Sequence, residues 1–267
     1  MPFGRFATML KHSYLLATFV VAFSSTSVLA QEAKPPMRTR VGAGVQTLPR
    51  YPGADDRSLR PLLDVGRSRA GTPFAFSAAD QGFGPALIRG GPLSIGPSAN
   101  YESARDAEDV GVAVPRVGFT VEVGAFVQLD LSENFRLRVD GRKGLGGHRG
   151  AIGMASADFV VRDGDDWLFA LGPRLTFADR RYNRAYFGVT PETAAATGLA
   201  AFDPSGGATM VGGASTVRFQ ITPRWGVYGY VKYDRLTGDV ADSPLVAGFG
   251  SKDQFSAGVA LNYTFGG

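Results

Sequence analysis

The sequence predicts an all-β fold: a closed antiparallel transmembrane β-barrel of about 12 strands, with one short helix in a long loop on the extracellular side. Three observations predict it. Apolar and polar residues alternate with period two along segments of ten or more residues, as in Val121, Val123, Ala125, Val127 and Leu129 against Thr120, Glu122, Gly124, Phe126 and Gln128. Such segments exceed the ~5–6 residues of ordinary globular strands and match the ~9–11 that a tilted strand needs to cross a bilayer. Aromatic residues gather at segment ends (Trp167, Phe177, Tyr182, Trp225, Tyr233, Tyr263, Phe265), where the two interfacial girdles of a membrane barrel lie. Finally, one face carries Arg136, Arg138, Arg174, Arg218 and Lys232, which a packed sandwich core cannot hide but a polar lumen can.

The elements follow in chain order. Arg5, Lys11 and His12 precede an apolar run from Ser13 to Phe23 and the small-residue site Val28-Leu29-Ala30. This is the pattern of a secretory signal peptide over 1–30, cut after Sec-type export between Ala30 and Gln31, leaving a barrel domain at 31–267. The apolar run is too short for a membrane span of ~20 residues, and no cysteine follows the cut to make a lipoprotein. Strands are expected near 38–47, 59–67, 72–79, 83–89, 92–102, 114–130, 134–142, 149–162, 166–180, 209–222, 225–236 and 254–265. If the N-terminus lies in the periplasm, the even-numbered connections should be tight and the odd-numbered ones longer. With one exception, the short odd connection near Asp80 to Gly82, they are: Gly90-Gly91 and Thr222 to Arg224 contrast with Leu48 to Ser58, Ser103 to Ala113, Arg181 to Ala208 and Leu236 to Asp253.

The longest connection contains the one expected helix. Thr190 is a good N-cap, Pro191 suits the first helical position, Glu192 places an acid in the first turn, and Gly198 can close the helix. Its neighbours Tyr186, Phe187, Leu199 and Phe202 need an apolar surface, so the loop is expected to fold inward or to cap the barrel.

Composition narrows the function. Without Arg5 and Lys11, 26 bases face 24 acids, and a net charge near +2 gives no sign of a nucleic-acid partner. With no cysteine and one histidine after residue 30, no metal site or cofactor is expected. That histidine, His148, sits in "GRKGLGGHRG" without a G-x-S-x-G motif or a neighbouring acid in sequence, and is read as a flexible-loop residue. Arg142, Lys143 and Arg149 in the same stretch are candidate contacts for lipopolysaccharide phosphates. Glu122 and Asp158 face the lumen, where pairing with arginines is expected rather than glycosidic catalysis.

The stretches "VGAGVQTLPRYPGADD", "YFGVTPETAAATGL" and "LTGDVADSPLV", with a closing "NYTF", resemble the MipA/OmpV family of Gram-negative outer-membrane proteins over nearly the whole mature length. The resemblance implies residence in the outer membrane, among lipid and lipopolysaccharide, and a role as a non-enzymatic scaffold joining a murein lytic transglycosylase to a murein synthase. A narrow channel for small solutes is the alternative, motivated by the lumen arginines, and a lipid-modifying enzyme dependent on His148 is a further one. Within the quoted stretches, Tyr51, Gly53, Asp55, Tyr186, Phe187, Gly188, Asp239, Asp242, Ser243 and Pro244 are the candidate interaction residues of the loops or lumen.

Overall fold

The computed structural model describes residues 35–266, so the expected signal peptide lies outside the described residues. Eleven strands form one antiparallel sheet: β1 (Met37–Pro49), β2 (Arg57–Arg69), β3 (Ile88–Gly90), β4 (Leu93–Glu102), β5 (Thr120–Asp130), β6 (Phe135–Gly146), β7 (Ala151–Asp163), β8 (Trp167–Ala178), β9 (Gly207–Gln220), β10 (Trp225–Leu236) and β11 (Asp253–Phe265). The spatial order is β2-β1-β11-β10-β9-β8-β7-β6-β5-β4-β3, so the first strand pairs with the last, Thr39 opposite Phe265. The sheet curls until side chains meet across it: Arg218 on β9 reaches Asp64 on β2 at 2.7 Å.

Its two faces are inverted relative to a water-soluble protein. On β8, Trp167, Phe169, Leu171 and Phe177 point outward and are exposed, while Leu168, Ala170, Arg174 and Thr176 point inward and are buried. On β6 the buried set is Arg136, Arg138, Asp140 and Arg142, and the exposed set includes Leu137 and Val139. Period-two alternation therefore places apolar side chains on the convex face and charges on the concave one. Trp225, Tyr263 and Phe265 form an outward aromatic cluster at one end, with ring centroids 4.8 and 4.7 Å apart. Tyr182, expected in such a girdle, is instead 2% exposed in a helix inside the loop end.

Tight connections (131–134, 164–166 and 221–224) lie at one end and the long ones at the other, as the length alternation predicts, except that 147–150 at the loop end is also tight. Two expectations need correction. The sheet has 11 strands rather than 12, and among the described residues no ladder joins β2 to β3, so backbone pairing does not complete a ring. The missing strand is 72–79. Pro73 and Pro85 lack amide donors, and this segment leaves the sheet to cross its interior as an extended strap. Residues 83–87 then return beside β4, with one bridge at Phe83–Ala99 and a single bond from Leu87 N to Ile95 O, so where a strand is expected over 83–89 the observed one is Ile88–Gly90. The helix content also differs: α1 (Ala107–Val110), α2 (Arg180–Phe187), α3 (Pro191–Thr197) and α4 (Pro244–Phe249) all lie in the long loops.

Candidate functional site

At the loop end, four connections fold together into a cap. Asp179 accepts the Tyr182 amide at 2.8 Å and starts α2, which buries Tyr182, Asn183, Tyr186 and Phe187 on one face. Helix α3 begins and ends as its residues dictate: Thr190 Oγ1 accepts the Thr193 amide at 3.2 Å, Pro191 occupies the first turn, and Gly198 closes it at φ 74°. Phe187 is fully buried and Tyr186 nearly so, against Tyr51, Val110, Val246 and Leu236 from other connections and β10. Full burial of such a side chain contributes roughly 1.5–3 kcal/mol.

Hydrogen bonds fix the remaining pieces. Ser243 Oγ donates to Phe187 O at 2.7 Å and accepts the Leu245 amide at 3.2 Å, which caps α4 just before Pro244. Gly53, at φ 92°, gives its amide to Gln254 Oε1 at 3.0 Å, and an added Cβ there would lie 2.9 Å from the Phe187 ring. Arg105 donates to Tyr186 O at 3.2 Å and to Pro115 O at 2.8 Å. Asp239 accepts from the Ser205 amide at 3.1 Å and from the Ser205 hydroxyl. Gly188 ends α2 with its amide on Arg184 O at 3.2 Å.

Eight of the ten interaction residues expected from sequence thus belong to this cap. Asp55 and Asp242 stand at its margin: Asp55 is exposed, and Asp242, also exposed, lies 3.6 Å from Lys252. Burial pushes the Tyr182 and Tyr186 phenols up from their ordinary value. Hydrogen bonds from Ser205 and Arg180 hold the Asp239 and Asp203 carboxyls below theirs.

Below the cap the interior is a lattice of ion pairs. Asp158 lies 2.6 Å from Arg136 and 2.8 Å from Arg174. Arg174 also holds Asp80 of the strap at 2.7 Å, and Lys232 stands between Asp80 at 3.6 Å and Asp234 at 2.8 Å. Nearer the turns, Asp64 takes Arg218 and Arg40, and Asp165 takes Arg38 and Arg162. The strap is gripped by the same groups. Guanidinium groups of Arg38 and Arg40 stack on Phe74 at 4.8 and 4.5 Å, and Arg136 stacks on Phe76 at 4.3 Å. Phe74 N donates to Asp165 Oδ1 at 2.9 Å, and Arg162 donates to Phe74 O at 2.8 Å.

Glu122 and Asp158 pair with arginines as expected, but the reading of "GRKGLGGHRG" is corrected. His148 is 2% exposed, not a flexible-loop residue, and it does have an acid: Glu122 Oε1 at 3.2 Å. Its Nδ1 accepts the Gly150 amide at 3.0 Å, which assigns the ring proton to Nε2 and the donation to Glu122. The ring packs edge-on to Tyr182 at 4.9 Å, tying strand end to cap. Arg142 does not face lipopolysaccharide; it is buried on Glu122 at 2.9 Å and on Asp140. Lys143 is half exposed beside Asp179 at 3.5 Å, and Arg149 is exposed.

Between cap and strap a cavity of about 290 Å³ remains, lined by Arg60, Glu102, Gln81, Tyr230, Lys232 and Asp234 among others. Among the described residues, no group of three or more His, Asp or Glu side chains is placed to hold a metal ion.

A model of the family described as MltA-interacting protein MipA matches residues 41–265. The chain belongs to the MltA-interacting protein family. In that family's terms, the matched span takes in all the described strands but the first residues of β1, together with the cap and the strap. No match is found among curated proteins. Among solved structures, the chain is similar to an outer-membrane channel of the COG4313 type from Pseudomonas putida F1, at 10% identity and TM-score 0.42, covering 87% of this chain and 97% of that one. It is also similar to the outer-membrane channel DcaP of Acinetobacter baumannii, at 9% identity and TM-score 0.37, covering 86% and 96%. A third is the NanC porin, at 10% identity and TM-score 0.36, covering 85% and 99%.

Proposed function

We propose that this protein is an outer-membrane β-barrel that works as a non-enzymatic interaction platform of the murein machinery, with a lytic transglycosylase of the MltA class and a murein synthase as partners. The family description supplies the partner class. The observation that carries the reading is the occupied interior: a strap held by Arg174, Arg136 and Asp165, beneath a cap sealed by Phe187, is built for rigidity rather than for flow. The exposed apolar convex face suits a bilayer. With the tight turns toward the periplasm, partners there would meet the connections 131–134, 164–166 and 221–224 and the chain before β1. His148 speaks against a reaction run by its own imidazole, because both ring nitrogens are engaged, by Gly150 and by Glu122.

Pull-down from solubilised envelopes tests the platform. Murein transglycosylase and synthase should be enriched over an unrelated barrel used as bait, and equal recovery from both baits sinks the proposal. A second reading, a narrow channel, is favoured by the cavity under the cap and the charges that line it. Planar bilayers separate the two: the platform gives silent insertions, whereas steady ion-selective current would establish the channel.

A further inference from the structure

The cavity under the cap holds a charge arrangement that the fold itself does not use. Its volume, about 290 Å³, lies just below the roughly 300–1,000 Å³ typical of drug-sized ligand sites, which suits a small ligand. Its walls include Arg60 on the terminal strand β2 and Glu102 at the end of β4, beyond the stretch that pairs with β3. Most charged groups on these walls are already matched. Lys232 is shared by Asp80 and Asp234, and Arg142 by Glu122 and Asp140.

Two groups of opposite sign are left over. Glu102 has no hydrogen bond or ion pair among the described residues. Arg60 donates only to Ser58 Oγ and to Arg50 O, each at 3.0 Å, and meets no carboxylate among the described residues. Asp234 spends Oδ2 on Lys232; its Oδ1 and Gln81 Nε2 are buried without partners and present no surface to the cavity, which leaves Glu102 and Arg60 as the groups open to it. A charge left without a partner at such a site is costly unless something satisfies it.

We propose that this cavity binds a small zwitterion of the amino-acid type, with its ammonium on Glu102 and its carboxylate on Arg60. A simple cation would leave Arg60 unmatched and a simple anion would leave Glu102 unmatched, so neither satisfies the site. Tyr182 and Tyr230 supply the less polar walls. Between β2 and the end of β4 no strand pairing closes the wall beside the cavity. Such binding requires neither a protein partner nor conduction, so it stands or falls apart from the platform and channel readings.

The test is calorimetry on the full chain in detergent, with glycine and L-alanine as zwitterions, propylamine as cation and propionate as anion. The zwitterions should give saturable heats, and both single-charge probes should bind about tenfold more weakly or worse. Glu102→Gln and Arg60→Gln should each weaken zwitterion binding by about tenfold or more, with the melting temperature of Glu102→Gln unchanged because no ion pair is lost. Glu108→Gln, at an exposed position away from the cavity walls, should bind as the parent does. Absence of saturable heat from either zwitterion in the parent protein overturns the proposal. So does equal affinity of the parent for all four probes, and both outcomes are read without relying on the folding of any variant.

Discussion

The cap and the lumen bury their side chains to similar depth by opposite means. In the cap, Phe187, Tyr186, Val240 and Leu236 meet other apolar groups, and the hydrogen bonds go mostly to backbone carbonyls and amides. In the lumen, Arg174, Asp158, Glu122 and Asp140 are buried just as deeply, and each charge answers another. The difference is one of tolerance. Truncating an apolar side chain costs its transfer energy and leaves a cavity. A charge removed from a matched lattice leaves its partner buried and uncompensated, although exchanging a whole pair for apolar groups is often neutral. The lumen should therefore fail as a unit, and the cap locally.

The largest effect is expected at Arg174→Ala, which removes the link between Asp158 and the strap's Asp80. Loss of about 3–5 kcal/mol should appear in urea unfolding of the whole barrel, and a normal midpoint would refute the lattice. Phe187→Ala should cost a similar nominal amount, about 3–5 kcal/mol, but in a different place. Limited proteolysis should then cut within 180–206 while the barrel still migrates as folded on unboiled gels. Ser243→Ala removes one bond to Phe187 O and one helix cap, about 1–2 kcal/mol together, and should give the same proteolytic pattern more weakly.

pH separates the regions further. The Tyr182 and Tyr186 phenols are raised by burial, so their contribution to the cap is complete below the ordinary value of about 10 and lost as pH rises through the raised values. Phenolate absorbance should show tyrosines that ionise late, and Phe187→Ala should return some of them to about pH 10. The smallest effect is at Asp239, whose carboxyl is lowered by Ser205. Its contribution is present above about pH 4 and lost as pH falls through the lowered value. Asp239→Asn should therefore abolish only a slight acid sensitivity of the cap to protease.

Much of this is legible in the residues. Alternation on 166–180 places Arg174 inward and Phe169 outward, and the capping pattern Thr190-Pro191 with Gly198 locates α3. The errors have physical sources. Phe74 and Phe76 alternate as in a strand, but alternation marks an extended chain and does not say whether it pairs in a sheet or crosses an interior. The signals that do, Pro73 and the lone acid Asp80 among apolar residues, matter only once the lumen arginines are placed. Arg142 follows the same parity as Arg136, Arg138 and Asp140, so extending β6 a few residues past 142 turns it inward. His148 and Glu122 are 26 residues apart, and only the register of β5 and β6 joins them. The family resemblance identifies the cap residues but carries no information on the strap.

The ladder between β1 and β11 also governs how such a chain can be made. Thr39 waits for Phe265, and Thr47 for Ala257, across a separation of more than 200 residues. Each doubling of a loop adds only about 0.6 kcal/mol of closure entropy, so this topology burdens the rate of folding more than the final stability. Until β11 docks, the edge of β1 stands open in addition to the β2 and β3 margins that stay unpaired, which enlarges the bare backbone that a hydrocarbon environment does not tolerate. Insertion is therefore expected to be a late, single event governed by the arrival of β11, so that a chain broken off before that strand never becomes a resident of the membrane.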